Sequence, residues 1–415
     1  MRLAALTACE HSPSPRRLHA VVALAMSPLY RSGPVFVSRC RVPRLANSLS
    51  QMEKYRVGVL GATGTVGQRL VQLLEDHPWF AIATLVASER SAGRSYREAV
   101  AWRLDTPIPE VAARLVVKDL GADLNCDLVL SALDSAVAGQ SEEELARAGH
   151  PVISNARNHR MDPDVPLLVP EVNWEHSAVL SQQQADRGYS RGFLATNPNC
   201  SAIGLAMALK PLQDAFGISE VSVVTMQALS GAGLDGVSAV AIQDNVIPYI
   251  AGEEEKLQTE PLKILGDYRD RQFLAADIKV SAQCNRIPVL DGHTEAVSVR
   301  LRRPASAAQL RQALATFSSE PQRLKLPSAP PHPLLVRDEV DRPQPRLDRP
   351  AGKGMVVSIG GIRSCPVLDW KFTVVSHNAI RGAAGAALLN AELLVAQGYI
   401  QRRAASNPTG PGPGR

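Results

Sequence analysis

Residues 55–74 read Tyr-Arg-Val-Gly-Val-Leu-Gly-Ala-Thr-Gly-Thr-Val-Gly-Gln-Arg-Leu-Val-Gln-Leu-Leu. Arg56–Leu60 is the short apolar run of a buried strand, and Gly61–Gly67 is a turn with glycines at G-x-x-G-x-x-G spacing. Beyond the turn, Val66, Leu70, Leu73 and Leu74 share one face of a helix. A strand, a glycine turn and a helix in that order let the backbone approach a pyrophosphate, which then lies on the helix N-terminus. The spacing is not G-x-G-x-x-G, so a merely tight strand–helix turn stays open on these residues alone.

Outward from this unit, Ala81–Ala87, Cys126–Ala132 and Pro151–Ser154 read as further strands separated by helical stretches. That alternation predicts an α/β fold with a doubly wound, parallel Rossmann-type sheet over residues 53–196. The second strand ends in Ser88-Glu89-Arg90-Ser91. A hydroxyl followed by a guanidinium suits a ribose 2′-phosphate, hence NADP, with Glu89 expected to point into solvent. A second, α+β domain is expected over 197–375, with β-rich stretches at Val221–Met226, Val280–Asn285, Glu295–Leu301 and Lys371–Val375. The Pro-rich segment 321–350 reads as an ordered loop or linker, without strand or helix. Within 376–400, the small-residue-rich stretch Ile380–Leu394 reads as a helix packing back on the first domain, and 401–415 as a flexible tail.

The 415 residues carry a net charge of +5, unevenly placed. The first 52 hold seven Arg, no Lys and one acid, Glu10, leaving the other 363 at −1 with 38 basic against 39 acidic residues. The body therefore has no bulk charge for nucleic acid or membrane binding, and no apolar run reaches the ~18 residues of a membrane span. The extension 1–52 reads as a transit peptide or as sequence preceding a true start at Met52, with a secretory signal third because of the apolar stretch Ala20–Met26. Cytoplasmic location is expected, or a plastid or other organelle if the extension is a transit peptide. Six scattered cysteines at 9, 40, 126, 200, 284 and 365 lack the close pairing of zinc sites, so no metal and no disulfide framework is expected.

Asn197-Pro198-Asn199-Cys200-Ser201 opens directly onto a periodic helix, Ala202 to Phe216. A cysteine at a helix start is favoured as thiolate by N–H groups and the helix dipole, which predicts a lowered pKa and a nucleophile. The same position also suits a buried cysteine acting as a small hydrophobe. Polar groups concentrate downstream in 225–233, in 252–256 and in 285–295, where Arg286 and His293 stand seven apart. Beside a candidate nucleophile, His293 is a candidate acid/base.

The chain resembles the aspartate-semialdehyde dehydrogenase family, in its archaeal and fungal subgroup, over residues 55–400. The resemblance rests on G-A-T-G-x-V-G (61–67), A-S-x-R-S-A-G (87–93), V-P-E-V-N (169–173), N-P-N-C-S (197–201), Q-A-x-S-G-A-G (227–233) and G-E-E-E-K (252–256). It extends through N-R-I-P-V-x-D-G-H-T-E (285–295), R-P-Q-P-R-L-D-R (342–349) and N-x-x-R-G-A-A-G (378–385). It implies Cys200 as the nucleophile forming a thioester, His293 as the acid/base handling the oxygen proton and the thiol, and Gln227 orienting substrate. Arg286 would pair with the substrate α-carboxylate and Glu253 with its amino group, with Lys256 near phosphate and Asn199 in the substrate set. NADP would be held by Gly61, Thr63, Gly64, Thr65, Val66, Ser88, Arg90, Ser91 and Ser131, with Asn378 near the nicotinamide.

The implied reaction is reductive dephosphorylation of aspartyl-4-phosphate, with inorganic phosphate as co-substrate of the reverse reaction, in the synthesis of lysine, threonine and methionine. N–H groups around Cys200 would stabilise the tetrahedral oxyanion. The second domain would be both catalytic and dimerising, in a homodimer or homotetramer. Malonyl-CoA reductase on the same scaffold, the more distant N-acetyl-glutamyl-phosphate reductase and a non-catalytic NADP-binding paralogue are the alternatives. Arg286 together with Glu253 favours an amino-acid substrate. One departure is Gly360-Gly361-Ile362-Arg363, where the family reads Gly-Arg-x-Arg; it bears on bracing of the active site or on assembly.

Overall fold

The computed structural model describes residues 53–121, 124–233 and 236–403. The readings of 1–52 and of the tail beyond 403 lie outside the described residues. Five strands, β1 (Tyr55–Leu60), β2 (Phe80–Val86), β3 (Leu128–Ser131), β4 (Pro151–Ser154) and β5 (Phe193–Thr196), form a sheet in the order β2-β1-β3-β4-β5. Every neighbouring pair is parallel. β5 escapes a pattern reading because it is only four residues, Phe-Leu-Ala-Thr, running into the Asn-Pro-Asn turn. The helix after the glycine turn, α1 (Thr65–Leu74), buries Leu70, Val71 and Leu74 against β-strand residues such as Val57, Leu85 and Leu128.

Beyond β5 the chain builds a mixed sheet. Its members are β6 (Ile218–Gln227), β7 (Ile247–Pro248), β10 (Lys279–Arg286), β11 (His293–Leu301), β12 (Leu334–Val336), β13 (Val357–Ser364) and β14 (Trp370–Ser376). The order is β12-β13-β14-β11-β6-β10-β7, and β8 (Asp267–Arg269) with β9 (Gln272–Leu274) forms a separate hairpin. Helix α2 (Cys200–Phe216) lies on one face of the large sheet. Its Ile203, Leu205, Met207, Leu209 and Leu212 join Val221, Val223, Val297, Val299, Ile359, Phe372 and Val374 in one core. The side chains of this sheet alternate, as strands with one buried face must. In β6, Val221, Val223 and Thr225 are buried under α2 while Ser222 on the other face is exposed.

The Pro-rich segment corrects the loop-only expectation. Glu320–Arg323 and Pro345–Asp348 are short helical turns, and Leu334–Val336 pairs in parallel with β13. Prolines stop neither, because Pro321 and Pro345 sit in first turns, where a backbone N–H has no intrahelical partner to lose. The C-terminal segment opens with a π-helical turn at Ile380–Ala384 and continues as α4 after α3 (Glu253–Ile264); α4 spans Gly385–Ala396. Ala387, Leu388, Ala391 and Leu394 of α4 join the core of the parallel sheet. Gly361 sits at an irregularity of β13 with φ +62°, a left-handed conformation that glycine adopts without strain and arginine does not.

One core residue is out of character. Glu295 on β11 is 1% exposed and neither carboxyl oxygen has a hydrogen-bond partner. Burial raises its pKa well above the ordinary value, so the folded protein holds it as a neutral acid. The unfolded chain releases that proton near pH ~4.3. Below that pH both states are protonated, and above it the folded state alone retains the proton, so wild-type stability falls as pH rises toward the elevated folded value. Glu295→Gln should therefore raise the urea midpoint at pH 8 and leave it little changed near pH 4. A variant no more stable than wild type at pH 8 would show that the carboxyl carries no such penalty.

Candidate active site

The turn from β5 into α2 is held from three sides by Asn199. Its side-chain oxygen caps α2, accepting from the amides of Ser201 at 2.9 Å and Ala202 at 3.3 Å. Its own amide donates to Glu260 at 2.6 Å, and Nδ2 donates to Glu253 at 2.8 Å, both carboxylates lying on α3. Arg160 pairs with Glu260 at 2.9 Å, and both are largely buried. Cys200 is thus the first residue of a capped helix, with its sulfur 3.1 Å from Nε2 of His293 at the start of β11.

The large sheet supplies the opposite wall. Arg286 at the end of β10 pairs in register with Gln227 at the end of parallel β6, and His293 opens the next strand, β11. Arg286 Nη1 donates to the Ala228 carbonyl at 2.8 Å, and the Ala228 amide donates to His293 Nδ1 at 3.0 Å. Gln227 Nε2 reaches Glu253 at 3.2 Å, and Lys256 Nζ closes on the same carboxylate at 2.6 Å. Cys200, His293, Gln227, Arg286, Glu253, Lys256 and Asn199 therefore form one connected cluster. Arg286 is 6% exposed and has no carboxylate partner among the described residues. A buried guanidinium without a counter-charge is costly, and an anionic ligand group removes the cost.

The electrostatics reverse one expectation. Cys200 is half-buried, and burial pushes its thiol up to about 12, with the Glu253 carboxylate adding to the rise. Arg160, Arg286 and Lys256 pull the other way and do not overcome it. A helix N-terminus favours a thiolate only where the charge is otherwise solvated or paired, and here desolvation wins. His293 is driven down to about 3, by burial first and by Arg286 next, so it is neutral. Burial opposes ionisation of Glu253, but Lys256, Asn199 and Gln227 outweigh it and hold this carboxyl below its usual range.

The nucleotide half lies at the other end of the same scaffold. Gly61, Thr63, Gly64, Thr65 and Val66 surround the start of α1, with Gly64 at its N-cap. A Cβ on Gly67 would stand 2.1 Å from the Gly61 carbonyl, so the turn closes only with glycine there. Gln68 holds the turn by donating to Thr63 O at 2.9 Å. Thr65 Oγ1 is buried without a partner, a donor left over for a phosphate oxygen. Ser88, Glu89 and Arg90 line a cavity of about 550 Å³ with Asp119 and Gly121. Glu89 is exposed to solvent and also borders this cavity. Ser91 follows them outside that lining, and Ser131 is buried at the end of β3 with Oγ toward Leu133 N at 3.5 Å.

Between the two halves runs the π-helical turn, packed against both α1 and α2. A Cβ on Gly382 would lie 2.8 Å from Cys200 Cβ, so this backbone presses directly on Cys200. The turn is anchored by Arg381, whose guanidinium pairs bidentately with Glu171 at 2.8 and 2.6 Å, both side chains fully buried. Asn378 joins the segments beside it, accepting from Gly292 N and donating to Ser230 Oγ, both at 2.8 Å. Reading the sequence missed Arg160, Glu260, Ala228 and the Glu171–Arg381 pair as site residues. The last pair lies inside the quoted motifs at 169–173 and 378–385, which is the signal that marks it; Arg160 and Glu260 have none.

Comparison with known proteins agrees with this layout. The family described as semialdehyde dehydrogenase, NAD binding domain, matches residues 56–180, and that described as semialdehyde dehydrogenase, dimerisation domain, matches 209–381. The chain is 48% identical over 348 residues to aspartate-semialdehyde dehydrogenase of Archaeoglobus fulgidus, covering 84% of this chain and 100% of that protein. It is 45% identical over 358 residues to the Saccharomyces cerevisiae protein of the same name, covering 83% and 98%. A crystal structure of aspartate semialdehyde dehydrogenase with NADP from Candida albicans superposes with a TM-score of 0.78 at 45% identity, covering 84% of this chain and 100% of that one.

With the thiol raised to about 12, the thiolate fraction of the ligand-free protein is still growing at pH 9. Iodoacetamide should therefore alkylate Cys200 at a rate rising about tenfold per pH unit from 6 to 9, because only the thiolate reacts. A plateau below pH 7, read by mass spectrometry of the Cys200 peptide, would show a preformed thiolate–imidazolium pair instead.

Proposed function

Because the chain belongs to the aspartate-semialdehyde dehydrogenase family, we propose that it converts L-aspartyl-4-phosphate to L-aspartate-4-semialdehyde with NADPH, releasing phosphate, through a thioester on Cys200. The observation that carries this reading is Cys200 at 3.1 Å from His293 inside a ring formed by Arg286, Gln227 and Glu253. Arg286 presents a buried, unpaired guanidinium to the substrate α-carboxylate, for which its planar fork is suited. Glu253, held ionised, faces the α-amino group. The two recognise the charged groups an amino acid carries on its α-carbon; malonyl-CoA has a carboxylate but no α-amino group for Glu253.

Lys256 and Arg160 supply positive charge near the sulfur for the phosphate. Cys200 displaces that phosphate at the acyl carbon, and the thioester forms as the carbon–oxygen bond to phosphate breaks. Bound NADPH supplies the hydride that reduces the thioester. The fit of the cofactor rests on the close glycine turn, the unpartnered Thr65 hydroxyl, and Ser88 with Arg90 at the edge of an open cavity, where a hydroxyl and a guanidinium suit a ribose 2′-phosphate. Asn378, tied to Gly292 and Ser230, borders the place where a nicotinamide would meet the sulfur.

The matched dimerisation family, and the open face of the large sheet carrying Ser222, Ser281 and Ala296, support a homodimer. Unpaired thiols at Cys126, Cys200, Cys284 and Cys365 support a reducing compartment, the cytoplasm in this reading.

Aspartate semialdehyde, phosphate and NADP should give NADPH absorbance with wild type. Cys200→Ser should bind NADP normally and lose at least about a thousandfold in rate, as removal of a covalent nucleophile does. Comparable wild-type turnover of malonyl-CoA would replace the substrate reading. Arg90→Ala should raise KM for NADP about tenfold or more while leaving weak use of NAD unchanged, measured by initial rates with each cofactor. Equal effects on both would remove Arg90 from 2′-phosphate recognition.

A further inference from the structure

Glu253, Lys256, Glu260 and Lys263 recur at helical spacing along α3, so they share one of its faces. All four are wholly or partly buried, where the inward face of a helix is ordinarily apolar. The first two reach the cluster around Cys200. The last two instead grip the turn that follows β4, residues 155–165, which carries Arg160.

The grip is made at two points on one residue. Glu260 accepts from the Arg160 guanidinium at 2.9 Å, and Lys263 Nζ donates to the Arg160 carbonyl at 2.8 Å. Two more carbonyls of the same turn, those of Asp162 and Val165, accept from this ammonium, both at 2.8 Å. An ammonium has three donors, and here each finds a carbonyl. The Phe273 ring lies 4.6 Å from Nζ, within cation–π reach. Placing a cation there is costly. Lys263 is 6% exposed, and burial brings its ammonium down to about 8 although Asp162, Asp164 and Glu260 act against the fall. An apolar side chain would avoid that cost but would take a donor away from all three carbonyls in a dry setting.

The effect of this anchoring falls on Arg160. Its Nη2 donates to the Asn155 carbonyl at the start of the turn at 2.8 Å, and its partner Glu260 also holds the Asn199 amide at 2.6 Å. Nε of Arg160 is buried without a hydrogen-bond partner, a donor left over in a side chain whose charge is felt at the Cys200 sulfur.

We infer that Lys263 is a positioning residue for the anion site beside Cys200: by tying the carbonyls of the turn to α3, it holds the Arg160 guanidinium where a phosphate binds. The inference rests on the phosphate reading of Arg160 given above. Lys263 itself is engaged by carbonyls and acts through Arg160, without touching the anion.

The test uses the full chain and inorganic phosphate. Lys263→Met keeps the stem and removes the donors, while Lys263→Ala leaves a space matching n-propylammonium, which replaces the atoms from Cγ to Nζ. With aspartate semialdehyde and NADP, both variants should raise KM for phosphate about tenfold, with kcat and KM for aspartate semialdehyde within about threefold of wild type. Added n-propylammonium should restore the phosphate KM of Lys263→Ala and leave Lys263→Met, whose side chain fills the space, unchanged. A phosphate KM that stays at the wild-type value in either folded variant overturns the inference, as does a loss spread equally over all constants. Lys263→Met combined with Arg160→Ala should raise the phosphate KM no further than Arg160→Ala alone; effects that multiply would show that Lys263 does not act through Arg160. Protection of Cys200 from iodoacetamide by phosphate, read by mass spectrometry of its peptide, gives the affinity without turnover. Absence of wild-type turnover on aspartate semialdehyde would therefore overturn the reaction and leave this measurement, in which Lys263→Met should need about tenfold more phosphate than wild type. Equal protection in the two, or none in wild type, would overturn the anchoring role.

Discussion

The site depends on how the backbone between β5 and α2 is tied down at Asn199. One side chain closes the helix, satisfying amides that the first turn would leave unpaired. The same residue binds two carboxylates of α3, which couples the helix that starts at Cys200 to the helix that carries Glu253. Because α2 is also the helix that covers the large sheet, fixing its first residue sets Cys200 against His293, Gln227 and Arg286 at the sheet's edge.

Buried charge is used here for placement. Glu171–Arg381 and Arg160–Glu260 are both largely or wholly removed from water. Such pairs contribute little net stability, since desolvation offsets most of their attraction, but breaking one leaves an uncompensated charge and costs roughly 3–5 kcal/mol. Each therefore strongly disfavours alternative arrangements of the segment it anchors. One anchors the π-helical turn against which Cys200 packs, and the other the turn that caps α2. π-turns inside helices recur at functional positions because they displace the local backbone, and here the displaced backbone meets the thiol at Gly382.

Much of the parallel sheet was legible because its strands are continuous apolar runs and its glycine turn has a mechanical reason. β5, β12 and the two proline-headed helical turns were not, since they are short and lie beside proline-bearing stretches that read as turns. Their pairing is decided by neighbours distant in sequence. Site residues divide in the same way. Cys200, Arg286, Glu253 and His293 are visible as reactive types in polar, motif-bearing stretches. Ala228 is not, because its contribution is a backbone amide and carbonyl, and any residue other than proline offers those.

The order of most elements and the reactive side-chain types that gather around Cys200 follow from the sequence by itself, because they are local: periodicity, turn chemistry, and the side chain present at each position. Only the tertiary structure decides the protonation states on which the chemistry turns. A helix start predicts a low thiol pKa, yet enclosure under the π-turn and the nearby Glu253 carboxylate raise it to about 12. An isolated histidine is free to exchange tautomers, yet one amide hydrogen bond from Ala228, just beyond the end of β6, favours the form of His293 with a bare Nδ1. Desolvation and hydrogen-bond direction are properties of the packed environment, contributed by residues far apart along the chain, and no local pattern encodes them.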